Sequence, residues 1–437
     1  MNKWKRNGIL GAVLFVVFCG SILYIYHRET KPVTLQFAMY AGSQWDVPND
    51  DYYKIIDETI AEYEKKYPNV KVKYTSGILK DDYSEWLSEQ ALKGKTPDVM
   101  MVLSEDTATF ASIGLLLNLD QLIKSDDKFD KSKYYASAYA DGEYEGSQYA
   151  LPYESVPTMM FINKTLLKKE GIQIPKGDWS WNEFYGICKK VTKDTNGDGL
   201  IDQFGVYDYS WKNSVVTNGG ELFSKDGSSS NLTNTNVKEA IKFTSKINEI
   251  SGNQKATSND FDTGKVAFRP MTFAEYKTYK PYPWRLKKYS KFDWDCIKLP
   301  AGSNGKNISE VESLVMGIGN STKYQKEAWN FLKMLTYNQK TQQKILRDAQ
   351  GISPLKEVNQ SKATEKILQK EVSQDGSVKL SLLNEIMEQA VIEPKFKNYY
   401  AVYQEMDQEI QYILNSQGDI DDGLLRLKQE VDQSLNE

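Results

Sequence analysis

Histidine is almost missing from this chain. One of the 437 residues is a histidine, His27, and it lies near the N-terminus. Everything beyond it must work without an imidazole. That excludes Ser-His-Asp and Cys-His catalysis and the usual histidine-ligated zinc centres. A glycosidase with paired carboxylates survives this filter, because it needs only Asp and Glu. Cysteine is nearly as scarce, with Cys19, Cys188 and Cys296. The last two leave one disulfide or two buried thiols open, since each lies in an apolar periodic segment. Strong charge of one sign is also lacking. The net charge is −4, and no basic block follows the N-terminus. No nucleic-acid partner is therefore expected.

Long apolar runs are absent except one, GILGAVLFVVFCGSILYIY, Gly8 to Tyr26, preceded by Lys3, Lys5 and Arg6. It is long enough to span a bilayer. The positive flank, residues 1–7, should stay in the cytoplasm and the bulk should be exported. No A-x-A-like cleavage site follows. Cys19 suggests a lipid anchor, but Phe18 stands where lipoprotein signals carry a small residue, and SILYIY prolongs the run. An uncleaved anchor over residues 8–26 is favoured. Either form tethers the protein to the outer face of a membrane.

The rest has an ordinary soluble composition, 40% hydrophobic and 26% charged, with length for two domains. Aromatics make up 12%, with 28 Tyr and 9 Trp. They suit a Tyr-rich core, or a site that stacks flat ligands. VTLQFAMY (Val33 to Tyr40) alternates as a strand does. DYYKIIDETIAEYEKKY follows at helical spacing, then the strand VKVKYTS, and β-α-β of this length implies a parallel pair. TPDVMMVL is a continuous apolar strand, as expected when both faces are covered. EYEGSQYAL predicts a hairpin, followed by an extended run past Pro152 and Pro157 into a second α/β unit. There SWNEF supplies Ser180 as helix N-cap and Glu183 as its capping-box partner. FGVYDY, DTGKVAFRPMTF and FDWDCIKLP read as strands, KEAWNFLKMLT as a helix, and two more helices close the chain. No internal repeat or low-complexity tail is present.

DTNGDGLIDQFG, Asp194 to Gly205, matches the first half of a calcium loop. Asp194, Asn196, Asp198 and Asp202 offer side-chain oxygens, and Leu200 a backbone carbonyl. Gly205 stands where an EF-hand needs its bidentate Glu, and a strand follows instead of a helix. A weakly bound structural calcium and a plain tight turn are both open. No other cofactor is expected.

The order of several segments carries a resemblance: GKTPDVMMV then FASIGLLLNLD, YEGSQYALPYES then MMFINKTLL, WSWNEF, TNGGELF, DTGKVAF, STKYQKEAWNFLKMLT and GISP. Together they resemble the extracellular solute-binding proteins of ABC importers, the sugar-binding family that includes maltose-binding protein. The resemblance runs from Val33 to Leu435. It implies two α/β lobes, a hinge crossed more than once and a ligand cleft between the lobes. The crossings are expected at Pro152 to Pro157, Glu310 to Gly317 and Gly351 to Leu355. Lobe 1 would then hold residues 33–152 and 314–352, and lobe 2 residues 153–313 and 353–437. Some members of the family hold structural calcium in an acidic loop at the Asp194 position.

Candidate ligand contacts follow from strand ends and matching positions. They are Ser43, Gln44 and Trp45; Glu105 and Asp106, beside Ser104; Tyr153 and Glu154 at the first crossing; Trp211 and Gly219; Thr272 and Phe273; and Tyr399 and Tyr400. A sugar ring has an apolar face and a hydroxyl rim, which aromatic and planar polar side chains match. Trp45 sits in a polar loop, where an exposed indole needs a partner. Trp86, Trp294 and Trp329 fit buried faces, and Trp284 a structural loop. The implied function is capture of a carbohydrate, an oligosaccharide on the aromatic count, for ABC permease subunits, by a monomer tethered through its N-terminal segment. The alternatives are a tethered sugar sensor and a paired-carboxylate glycosidase or lyase. No recognisable catalytic carboxylate pair supports the enzyme.

Overall fold

The computed structural model describes residues 31–42, 52–224, 226–252, 254–279, 292–370, 378–416 and 418–436. The expected anchor, Cys19, the Ser43–Trp45 segment and Trp284 lie outside them. Among the described residues no helix is long and apolar enough to cross a membrane.

The first strand, β1 (Val33–Ala41), buries Val33, Leu35 and Phe37 and exposes the alternate residues, then becomes buried on both faces. The helix Tyr52–Lys66 follows. β2 (Val70–Leu79) pairs parallel with β1 in the register Val33 to Val70, as the β-α-β spacing predicts. β3 (Val99–Val102), wholly buried, joins the other side of β1, also parallel. A short hairpin, β4 (Glu143–Tyr144) and β5 (Ser147–Gln148), leads into β6 (Ala150–Asn163).

β6 is the structural axis. Its first half, Ala150 to Pro157, pairs antiparallel with β10 (Val311–Ile318). Its second half pairs with β8 (Val266–Thr272) and β9 (Trp294–Ile297). β7 (Phe204–Val206) adds to β8 in parallel. The sheet order is β2-β1-β3-β10-β6-β8-β7, with β9 paired to β6. One long strand thus feeds both lobes of a mixed α/β protein, and thirteen of its fourteen residues are buried because layers cover both sides.

Buried side chains form three clusters. One draws on residues 33–153 and 314–358, around Phe37, Tyr63, Val102, Leu151 and Phe331. A second lies in residues 160–431, around Trp181, Phe184, Phe243 and Met406. Trp181 and Phe243 stack there at 4.1 Å between centroids, an interplanar angle of 1° apart. The third joins Tyr135, Val156, Leu346 and Ile352 to Phe161 and Phe273, across the junction. Cys188 and Cys296 are separate buried thiols, so no disulfide joins them. Burial pushes both thiols up. The helix Trp181–Val191 begins with the expected capping box: Ser180 Oγ accepts from the Glu183 amide, and Glu183 accepts from the Ser180 amide.

Candidate functional site between the lobes

The hinge is built from serines and two buried acids, Glu154 and Asp141. Ser155 on β6 exchanges backbone hydrogen bonds with Ile352, at 3.0 and 2.8 Å. Its hydroxyl lies 2.9 Å from that of Ser313 on β10. Ser104 donates its hydroxyl to the Ser313 carbonyl at 2.9 Å, and the Ser313 amide donates to Asp141 at 2.6 Å. The Glu154 carboxylate accepts the Gly351 amide. Three chain segments, at Glu154 to Ser155, Val311 to Ser313 and Gly351 to Ile352, are therefore tied side by side. Lys277 donates to the carbonyls of Leu346 and Ala349, both at 2.8 Å, which closes the end of the helix Gln339–Asp348. Burial pulls the Lys277 ammonium down to about 8, against the pull of Glu154 and Asp348.

Beside the hinge the lobes leave a crevice of 140 Å³. Ser104 and Glu105 reach it from the carboxyl end of β3, where ligands of α/β sheets are commonly bound. Asp141 and Glu312 also line it, with Lys395 and Tyr400 from the segment that enters the helix Tyr399–Asn415. Lys395 ties the two walls, at 2.8 Å from Asp141 and 3.3 Å from the Ser104 carbonyl. Tyr400 is 51% exposed. Next to the crevice, Lys212 pairs with Glu310 at 2.9 Å and with Glu393. Burial works against that ammonium, but the two carboxylates outweigh it and hold it well above the ordinary lysine range. Burial pushes Asp106 up to about 6, while a hydrogen bond from Ser84 pulls the other way. A second cavity, of 760 Å³, shares only Glu393 and Lys395 with the crevice. Its walls are largely apolar, with Val215, Leu222, Phe223 and Ile392.

The nominated residues divide accordingly. Glu105 and Tyr400 line the crevice, with Asp106 next to them. Gly219 and Tyr399 line the larger cavity, where Tyr399 packs edge-on to Phe223 and Phe396. Five others line neither cavity. Tyr153 and Glu154 are buried because β6 is covered on both faces. Trp211 is buried, stacked on Tyr403, with its indole nitrogen donating to Asp407 at 2.6 Å. Phe273 is a core residue. Thr272 caps the helix Phe273–Tyr279 by reciprocal bonds with Glu275. Sequence reasoning missed Asp141, Lys212, Glu312, Glu393 and Lys395. One signal was available: Glu310 and Glu312 alternate in EVESLVMG, which puts two acids on one face of a hinge strand.

The Asp194 loop lies between the helix Trp181–Val191 and β7, as expected. Asp194 accepts the amides of Asn196, Gly197 and Gly199. Asp202 turns both oxygens to Thr195, Asn196 and Asp198 bond to each other, and the Leu200 amide donates to Asp198. These bonds hold Asp194 and Asp202 below the usual carboxylate range. The acids are directed at their own loop. Among the described residues no group of three or more His, Cys, Asp or Glu side chains is arranged for a metal ion.

Comparison with known proteins places this geometry. Residues 47–341 match the family model of the bacterial extracellular solute-binding proteins. An uncharacterized lipoprotein of Streptomyces antibioticus is 22% identical over 322 residues, 70% of this chain and 67% of the relative. Two solved structures share the fold. The cyclic alpha-maltosyl-1,6-maltose binding protein of Arthrobacter globiformis has a TM-score of 0.75 at 18% identity, over 92% of this chain and 99% of that one. An ABC substrate-binding protein of Listeria monocytogenes, solved with cycloalternan, has a TM-score of 0.70 at 18% identity, over 93% and 100%. A family match over more than half its length, on a two-lobed frame hinged through β6 and β10, identifies this chain as a member of the bacterial extracellular solute-binding protein family.

Proposed function

We propose that this protein captures a carbohydrate, an oligosaccharide in the first instance, between its lobes and delivers it to the permease of an ABC importer. Family membership supports a binding role, and the sugar ligands named for the two structural relatives support the ligand class. One observation carries the proposal: a crevice lined by polar and aromatic side chains from both sides of a three-stranded hinge. At 140 Å³ it is smaller than the roughly 300–1,000 Å³ of ordinary ligand pockets. Ligand entry therefore calls for a form more open than this one, without the Lys395–Asp141 tie, which then closes on the bound sugar. The division proposed is residues 33–152 with 314–352 against 153–313 with 353–437.

Glu105, Asp106 and Tyr400 are the proposed contacts among the described residues, joined by Ser43, Gln44 and Trp45 from the segment after β1. Residues 8–26 would hold the protein, as a monomer, at the outer face of the membrane. No chemistry on the sugar is proposed. Thermal unfolding against a panel of mono- and oligosaccharides tests the reading. A ligand at about 100 times its Kd adds about 2.7 kcal/mol, and the midpoint should rise accordingly. If no sugar raises the midpoint while another class of solute does, the carbohydrate reading is wrong. Hydrolysis of a sugar in the panel would point to the enzyme instead.

A further inference from the structure

One end of the sheet faces the crevice, and the opposite end carries a group of lysines. β1, β2 and β3 run parallel and β10 runs antiparallel to β3, so three strand starts and the end of β10 lie together. Hydrogen bonds join them there. The Val33 amide donates to the Asn69 carbonyl at 2.8 Å, and Asp98 accepts the Gln36 amide at 2.8 Å and the Thr322 hydroxyl. Ser104 and Glu105, which line the crevice, follow β3 at its other end.

At this pole Lys31 precedes β1, Lys65 and Lys66 end the helix Tyr52–Lys66, Lys95 precedes β3 and Lys323 follows β10. All are exposed, and none forms an ion pair among the described residues. The acids beside them are engaged. Glu64 pairs with Lys71 at 2.7 Å, Glu89 with Lys93 at 2.6 Å, and Asp98 holds the strand ends. Glu327, in the first turn of the helix Gln325–Thr336, offsets one of the free lysines. The whole chain carries −4, so the sign is reversed locally. Large apolar side chains project from the same end: Leu92 is 90% exposed, Ile113 61% and Tyr324 37%. Asn320, just past β10, holds the Ile113 turn there through Gly114 and Leu115.

Lysines set around exposed apolar side chains suit an anionic lipid surface. The charges draw the protein down, and the apolar groups enter the headgroup layer. The N-terminal segment puts lipid within reach. Its apolar run ends at Tyr26 and β1 begins at Val33, so the residues between them span at most about 25 Å. We infer that this pole docks on the anionic phospholipid headgroups of the membrane that holds the N-terminal segment, with Leu92 and Tyr324 entering the headgroup layer. This rests on the tether reading above. Docked so, the end of the sheet that carries Ser104 and Glu105 points away from lipid, to the side from which a solute arrives.

Acetylation footprinting of the full chain in lipid nanodiscs tests the inference. One set of discs mixes phosphatidylglycerol with phosphatidylcholine, and the other holds phosphatidylcholine alone. Lys95 and Lys323 should acetylate at least about fivefold more slowly in the anionic discs. Lys397, exposed near the crevice, should react equally in both. High salt should restore the rates at Lys95 and Lys323. Leu92→Glu with Tyr324→Glu should abolish the slowing and leave the unfolding midpoint unchanged, since both side chains are exposed. Equal rates in the two discs overturn the inference and leave the tether standing. So does slowing that survives the double variant, which would be the field of the lipid without contact. Slowing of the detergent-held chain by a soluble polyanion, with none in the discs, overturns it in favour of an anionic polymer. A chain that the discs do not retain overturns the tether reading, and this inference with it.

Discussion

Gly351 shows how tightly a single position can be constrained at the hinge. A Cβ built there would lie 2.4 Å from Glu154 Cγ and 2.7 Å from the Ser155 carbonyl oxygen. Backbone cannot yield as a side-chain tip can, so the strands would have to separate. Gly351→Ala should cost about 1–3 kcal/mol, the usual range for overpacking, read from the urea midpoint at constant slope. An unchanged midpoint would mean that the third crossing is loosely held. The Asp194 loop gives a second residue-scale expectation. Its acids already accept from their own loop, so chelator-treated protein titrated with calcium should give no binding heat and no gain in stability. A clear calcium heat would show that the loop rearranges to hold the ion.

At the scale of elements, the helix Trp181–Val191 depends on its cap. Ser180→Ala removes the acceptor for the Glu183 amide and should cost about 1 kcal/mol. Urea unfolding of the two proteins measures it. That cap was legible because a capping box is local: Ser180 and Glu183 are three residues apart, and no distant contact is needed. The parallel β1–β2 pair, the β4–β5 hairpin and the extended β6 were legible for the same reason. The site was less so. Its residues come from separate segments, at Ser104, Asp141, Glu312, Lys395 and Tyr400, which only the fold brings together. Trp211 and Glu154 were nominated by side-chain type, but burial is set by what packs above a strand or helix. Trp211 met Tyr403 and Asp407 from a helix about 190 residues away in sequence. Glu310 and Glu312 alternate within the expected second crossing, so the acid face of the hinge was written in the sequence. Its meaning depended on Lys212 and Glu393 arriving beside it.

Over the whole molecule, the tyrosines set the alkaline limit. Burial raises Tyr134, Tyr139, Tyr153, Tyr276 and Tyr399 well above the ordinary phenol range. Their native state keeps protons that the unfolded chain releases above about pH 10. Stability is therefore present below that pH and lost above it, by up to roughly 1.4 kcal/mol per pH unit for each tyrosine. Lys277 has the opposite sign. Its folded value is depressed to about 8, so stability rises with pH from there to the ordinary lysine range. One lysine is outweighed by five tyrosines above pH 10. Circular dichroism from pH 8 to 12 should show a level or slightly rising stability to about pH 10 and cooperative unfolding beyond it. Lys277→Met should flatten the first part and leave the second.

The central claim is that a carbohydrate binds between the lobes and closes them about β6 and β10. Small-angle X-ray scattering of the exported portion, with and without a saturating oligosaccharide that raises its unfolding midpoint, measures this directly. The account predicts a smaller radius of gyration with the sugar, and a change that Gly351→Ala or a bulky substitution at Ser104 diminishes. An identical scattering profile with and without a bound sugar would contradict it.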